Sequence, residues 1–272
     1  MAELSSKTGS LEAQGAPLYY EVAGQGHPLL LLHAGIADSS MWDDQFPVFA
    51  QQYRTIRYDL RGYGRSAFPS GQFACYEDPA ALFQFLGIQQ AHVIGISFGG
   101  KIALDFALAH PEMVTALVLV APGVGGMQPS ERLLRFGEEE EELLSRGDLE
   151  GATELNLRMW VDGPRRAPEQ VNPYVRQRVH DMQYHAFTIP APSSVEEIAL
   201  QPPAVTRLAA IHVPTLIIVG DHDLPEMIER SAELATRIPG AQHVVIPGVA
   251  HMVSMEQPEQ FNRLVLEFLH DK

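Results

Sequence analysis

Short apolar β-type runs alternate with stretches of helical periodicity along most of this chain, and that alternation narrows the fold sharply. The runs fall at residues 18–22, 29–33, 55–58, 92–96, 116–120, 215–219 and 243–246. Several are apolar almost throughout, as a strand covered on both faces of a parallel sheet must be. Between them, the segment 39–51 carries Met41, Trp42, Phe46 and Phe49, and 78–86 gathers Leu82, Phe83 and Leu86 on one side. The segment 101–109 is alanine-rich, and both 225–238 and 258–269 open with proline, which suits a first helical turn. The pattern predicts an α/β fold: a doubly wound, mostly parallel sheet with right-handed crossovers.

The alternation stops between residues 123 and 200, where no run reads as a strand. Amphipathic helical patterns occupy 130–145, 149–161, 168–187 and 194–200 instead. A helical block interrupting an α/β core is most simply a cap over the strand ends. The chain is therefore expected to comprise a first part of the core at 1–122, the cap at 123–200 and a second part of the core at 201–272. The acidic run 138–142 reads as the solvated face of a cap helix, flanked by Leu133, Leu134, Leu143 and Leu144.

One pentapeptide carries chemistry. Gly95-Ile96-Ser97-Phe98-Gly99 follows an apolar strand-like run and precedes a helical one, the context in which Gly-x-Ser-x-Gly forms a nucleophile elbow. A serine hydroxyl is a poor nucleophile at neutral pH, so it needs a base, and the base needs a third group to fix its tautomer. In an elbow architecture the acid and then the histidine follow the serine. The run 215–219 leads into Gly220-Asp221-His222-Asp223, where Asp223 is placed further into the loop than its rival Asp221. The last strand-like run leads into Gly248-Val249-Ala250-His251, making His251 the base. An oxyanion hole needs the amide of Phe98 and a second amide from an earlier loop; Gly35 in His33-Ala34-Gly35-Ile36 is the expected donor and Ile36 the alternative. His33 reads as the anchor of that loop.

Composition excludes other classes. A net charge of −15 over 272 residues leaves no basic excess for nucleic acid or an anionic membrane surface. The longest apolar runs, such as 29–32, are far too short to span a bilayer. A single cysteine, Cys75, permits no intramolecular disulfide, and no Cys/His cluster has metal-ligand spacing. Residues 1–16 lack the apolar stretch of a signal peptide, so the cytoplasm is the expected compartment.

From about Leu18 to Leu269 the chain resembles the α/β-hydrolase superfamily. The resemblance rests on His33-Ala34-Gly35, the segment from Asp59 to Ser66 (Asp-Leu-Arg-Gly-Tyr-Gly-Arg-Ser), the elbow extended to Gly100, Gly220-Asp221-His222-Asp223 and Gly248-Val249-Ala250-His251. It looks most like the capped esterase and enol-lactonase-like branch, whose cap often carries a segment similar to Arg158-Met159-Trp160-Val161-Asp162-Gly163-Pro164-Arg165-Arg166. The superfamily's usual His-Gly is His33-Ala34 here, which leaves Gly35 and Ile36 both open. Relatives that are dehalogenases or epoxide hydrolases place aspartate at the elbow, and Ser97 argues against both.

The resemblance implies a serine hydrolase of small carboxylic esters, acting through Ser97, His251 and Asp223 without a metal or organic cofactor. A lactonase would use the same machinery. C–C bond hydrolases, cofactor-free peroxidases and small-molecule receptors on the same fold are further readings. The partner expected is a small ester or lactone held between strand ends and cap. Trp42, Met127, Trp160 and Met252 are candidates for an apolar lining, which would suit uncharged acyl chains; the oligomeric state is not legible.

Overall fold

The computed structural model describes residues 6–270 and 272. Its strands begin with β1 (Ser6–Ala13), β2 (Ala16–Ala23), β3 (Pro28–Leu32), β4 (Arg54–Tyr58) and β5 (Gln72–Phe73). They continue with β6 (Ala91–Ile96), β7 (Val114–Val120), β8 (Glu196–Glu197), β9 (Thr215–Gly220) and β10 (Gln242–Ile246). The main sheet has the order β1-β2-β4-β3-β6-β7-β9-β10. Pairing is antiparallel at β1/β2 and β2/β4, and parallel from β4 through β10.

Side chains alternate across the pleat and are buried on both faces. Leu29, Leu31, Ile94, Ile96, Val118 and Val120 enter one hydrophobic cluster, while Leu30, Leu32, Val93, Leu117 and Leu119 enter the other. The helices that cover those faces are short α1 (Phe46–Phe49), α2 (Asp78–Leu86) and α3 (Phe98–Ala109), then, beyond a helical block, α7 (Pro225–Arg237), α8 (Val253–Glu256) and α9 (Pro258–Leu269). The helical block between β7 and β9 consists of α4 (Glu131–Ser145), α5 (Leu149–Asn156), a π turn at Leu157–Asp162 and α6 (Pro173–Thr188). None of the described helices is long and apolar enough to cross a membrane.

Three strands lie outside the sequence expectation: β1, the two-residue β5 and β8. β1 is a polar edge strand with most of its residues exposed, so it lacks an apolar signature; the two-residue turn Gln14-Gly15, both at positive φ, folds it onto β2. β8 falls inside 194–200, where a short helix was expected and none forms. It is two exposed glutamates paired in parallel with β5, which ties the end of the helical block to a core loop.

The segment from Asp59 to Ser66 is a scaffold. Asp59 accepts the amides of Ser39 and Arg65, both at 2.8 Å, and Ser66 Oγ accepts the amide of Tyr19 at 2.9 Å. Arg61 lies fully buried, with Nε donating to Asp78 Oδ2 at 2.9 Å and an Nη donating to Oδ1 at 2.8 Å. Its remaining donors reach the carbonyls of Ala13 and Ala16 at the β1–β2 turn. Asp78→Ala would strand a guanidinium without its counter-charge. It is expected to destabilise the fold by about 3–5 kcal/mol in urea unfolding; a loss under about 1 kcal/mol would contradict this account.

At the opposite end of β6, Thr115 Oγ1 lies 2.8 Å from His92 Nδ1 and 3.0 Å from His27 Nε2, and the two imidazole rings are 4.2 Å apart. Burial, with His27 beside it, pushes His92 from its ordinary 6.5 down to about 4. Between those values the unfolded chain binds the extra proton, so this site's stability is complete above pH 6.5 and is lost as pH falls towards 4. The loss is on the order of 3 kcal/mol. The Tm of His92→Gln is expected to fall less steeply than wild type over this window, and parallel Tm–pH curves would exclude the role.

Candidate active site

The elbow residue Ser97 sits between β6 and α3 with φ 55° and ψ −112°, a conformation L-residues rarely adopt. Hydrogen bonds hold it there. Its amide donates to Val120 O at 2.9 Å, and its carbonyl accepts from Lys101 and Gly123 amides, each at 2.9 Å. The flanking glycines are sterically required: a Cβ at Gly95 would collide with the carbonyl of Gly99, and one at Gly99 with the carbonyls of Leu32 and His33.

β9 delivers Asp223, and the loop after β10 delivers His251. The two are 1 % exposed each, with His251 Nδ1 2.7 Å from Asp223 Oδ2. The other carboxylate oxygen, Oδ1, accepts the amide of Leu224 at 2.7 Å. Nδ1 therefore donates to the carboxylate, and the tautomer leaves a lone pair on Nε2. That nitrogen is buried and has no partner among the described residues. Asp221 does something else: its Oδ1 accepts the amide of Gly248 at 2.7 Å, closing the β9 loop onto the loop that carries His251.

The histidine loop is also clamped to the helical block. Glu256 accepts the amide of Ala250 at 2.9 Å and pairs with Arg166 through both carboxylate oxygens. Arg166 in turn donates to the carbonyls of Val161, Asp162 and Gly248. Trp160, in the π turn, accepts the His251 amide on its carbonyl at 3.3 Å, and its ring lies 4.7 Å from the imidazole. The segment Arg158–Arg166 thus includes Trp160, which touches His251 directly.

His33 is the anchor of the loop after β3. Leu60 donates its amide to His33 Nε2 at 2.8 Å, so Nδ1 carries the proton and donates to Ala34 O, also at 2.8 Å. Complete burial lowers its pKa, and a ring that accepts on Nε2 while donating from Nδ1 is the neutral form. The Ala37 amide closes a turn onto Ala34 O at 3.1 Å, with Gly35 and Ile36 at its centre. Their amides and that of Phe98 have no internal acceptor among the described residues. A Cβ at Gly35 would sit 3.2 Å from Phe98 Cβ, so the two backbones adjoin.

Ser97, His251, Gly35 and Ile36 line a cavity of about 260 Å³. The helical block between β7 and β9 adds Phe136 and Glu140 from α4, Asn156 from α5, Trp160, and Gln183 and Phe187 from α6, and Tyr63 comes from the segment after β4. Of the four residues expected to line it, Trp160 does. Trp42 and Met252 are fully buried in a core cluster, Trp42 with its ring 6.2 Å from Phe261, and Met127 packs on the edge of the other cluster. The lining is also not purely apolar, because Glu140 departs from its run: Glu138, Glu139, Glu141 and Glu142 are exposed, but Glu140 turns inward. A signal was available, since Phe136, Glu140 and Leu144 stand four residues apart on one helix face.

A family model for the α/β-hydrolase fold matches residues 27–258. The chain belongs to the α/β-hydrolase family. Among its relatives, carboxylesterase YbfK of Bacillus subtilis is 28 % identical over 89 % of this chain and 79 % of its own. RutD of Azorhizobium caulinodans, named as a candidate carbamate hydrolase, is 30 % identical over 93 % of this chain and 95 % of its own. Among solved structures, Est816, described as an N-acyl homoserine lactone degrading enzyme, superposes with a TM-score of 0.75 at 27 % identity, covering 96 % of this chain and all of that one. This α/β-hydrolase is accordingly a hydrolytic enzyme, and its relatives' names spread over several kinds of bond.

Proposed function

We propose that this α/β-hydrolase cleaves small carboxylic esters through an acyl-enzyme. Ser97 Oγ attacks the carbonyl while His251 Nε2 takes its proton, and Asp223 holds the resulting imidazolium. The amides of Phe98 and Gly35 receive the oxyanion, each worth on the order of 3 kcal/mol in the transition state. Collapse of the tetrahedral adduct expels the alcohol, which leaves with the proton returned by His251. Water then repeats the sequence on the acyl-serine and releases the acid. The observation that carries this reading is the buried His251 Nε2, oriented by Asp223 and without a partner, on the wall of the cavity that the strained Ser97 also lines.

A fluorophosphonate is expected to modify one residue per chain, Ser97 by peptide mass spectrometry. p-Nitrophenyl butanoate should give many turnovers per chain. Labelling without multiple turnover on any ester would favour a receptor instead.

A second reading, a lactonase, is favoured by the likeness to Est816. The ratio of kcat/KM for a γ-lactone and for an open-chain ester of equal carbon number separates the two, since both use the same three side chains.

A further inference from the structure

The polar side chains that the helical block adds to the cavity include Glu140, Asn156 and Gln183. Glu140 receives one hydrogen bond, from Asn156 Nδ2 to Oε1, and its second oxygen has no partner among the described residues. Gln183 is 4 % exposed and lines the cavity, yet its Oε1 is buried without a donor. Burial pushes the Glu140 carboxyl up and the Asn156 bond opposes that, so a cation beside it would favour the charged form. No Lys or Arg is among the lining residues. Three aromatic side chains, Phe136, Trp160 and Phe187, share the same space, with Phe136 edge-on to Trp160 at 5.9 Å.

We propose that this part of the cavity recognises a protonated amine, so that the preferred substrates are esters bearing a cationic nitrogen in the acyl or the alcohol part. An N–H of the cation donates to the free Glu140 oxygen and another donor, or a polarised C–H, faces Gln183 Oε1. The aromatic rings stabilise the cation further. An anionic substrate would meet Glu140 with no counter-charge on the wall. The proposal rests on the ester-hydrolase reading for its substrates, but not for its binding site.

The test uses isosteric triplets at pH 7 that differ only in charge. On the alcohol side these are 2-(dimethylamino)ethyl, 3-methylbutyl and 2-carboxyethyl butanoate. On the acyl side they are ethyl 4-(dimethylamino)butanoate, ethyl 5-methylhexanoate and the monoethyl ester of glutaric acid. In one of the two series, kcat/KM for the cation is expected to exceed that of its neutral isostere by about tenfold or more, with the anion last. Glu140→Gln should bring the cation-to-neutral ratio close to one. Calorimetry with N,N-dimethylbutylammonium supplies a readout without turnover: binding to wild type that weakens about tenfold in folded Glu140→Gln. Equal ratios in wild type and variant, a preference for the anion, or no amine binding would each overturn the proposal. Amine binding without turnover of any ester would instead overturn the ester-hydrolase reading and leave this site standing.

Discussion

Ser97→Gly is expected to abolish ester turnover and raise the thermal stability of the protein in the same step. The two effects have separate origins at one residue. Removing Oγ deletes the group proposed to form the acyl bond, and the loss in kcat should be about 10⁴–10⁶-fold. Stability responds to the backbone, which stands at φ 55° and ψ −112°, where an L-residue is strained by about 1–3 kcal/mol. Glycine relieves most of that strain and returns part of the gain as added freedom in the unfolded chain, about 0.5–1 kcal/mol. The balance is a net gain of about 1 kcal/mol, or roughly 2–4 °C in Tm. Ser97→Ala is the control. It loses the same turnover but keeps a Cβ, so its Tm should stay within about 1 °C of wild type. Scanning calorimetry and a p-nitrophenyl butanoate assay on the three proteins decide the matter. A Ser97→Gly protein less stable than Ser97→Ala would show that the elbow geometry is not strained, and retained turnover would remove Ser97 from the mechanism.

Strain at the elbow explains why Gly-x-Ser-x-Gly could be read from sequence at all. The pattern exists because Gly95 and Gly99 leave no room for a Cβ, and a steric demand of that kind is written directly in residue identity. The fully buried strands were legible for a related reason, since burial on both faces forces an unbroken apolar run. β1 and β8 were not, because an exposed edge is paired by backbone alone and asks little of its side chains. The cavity wall was the least legible part. Trp42 and Met252 have the same character as a ligand-contacting residue, and only the packing of helices places them in the core. Glu140 hid inside a run of glutamates; its position on the helix face, not its chemistry, distinguishes it from its neighbours.

The choice between Asp221 and Asp223 turns on hydrogen-bond polarity, and it yields the second large effect. Asp223→Asn is expected to lower kcat by about 10⁴-fold with the fold intact. In wild type the Leu224 amide donates to Oδ1 of Asp223, which requires an acceptor at that position. An asparagine must therefore place its carbonyl oxygen there and turn its NH₂ towards His251. The imidazole, facing a donor, has to accept on Nδ1 and carry its proton on Nε2. That tautomer cannot take a proton from Ser97, although every heavy atom keeps its place. Asp221→Asn is different, because Gly248 donates to Oδ1 of that side chain and an amide oxygen accepts equally well. Its kcat should stay within about threefold of wild type, on the order of 0.6 kcal/mol. Steady-state kinetics on the two folded variants separates the roles: comparable losses, or a larger loss for Asp221→Asn, would transfer the orienting role away from Asp223.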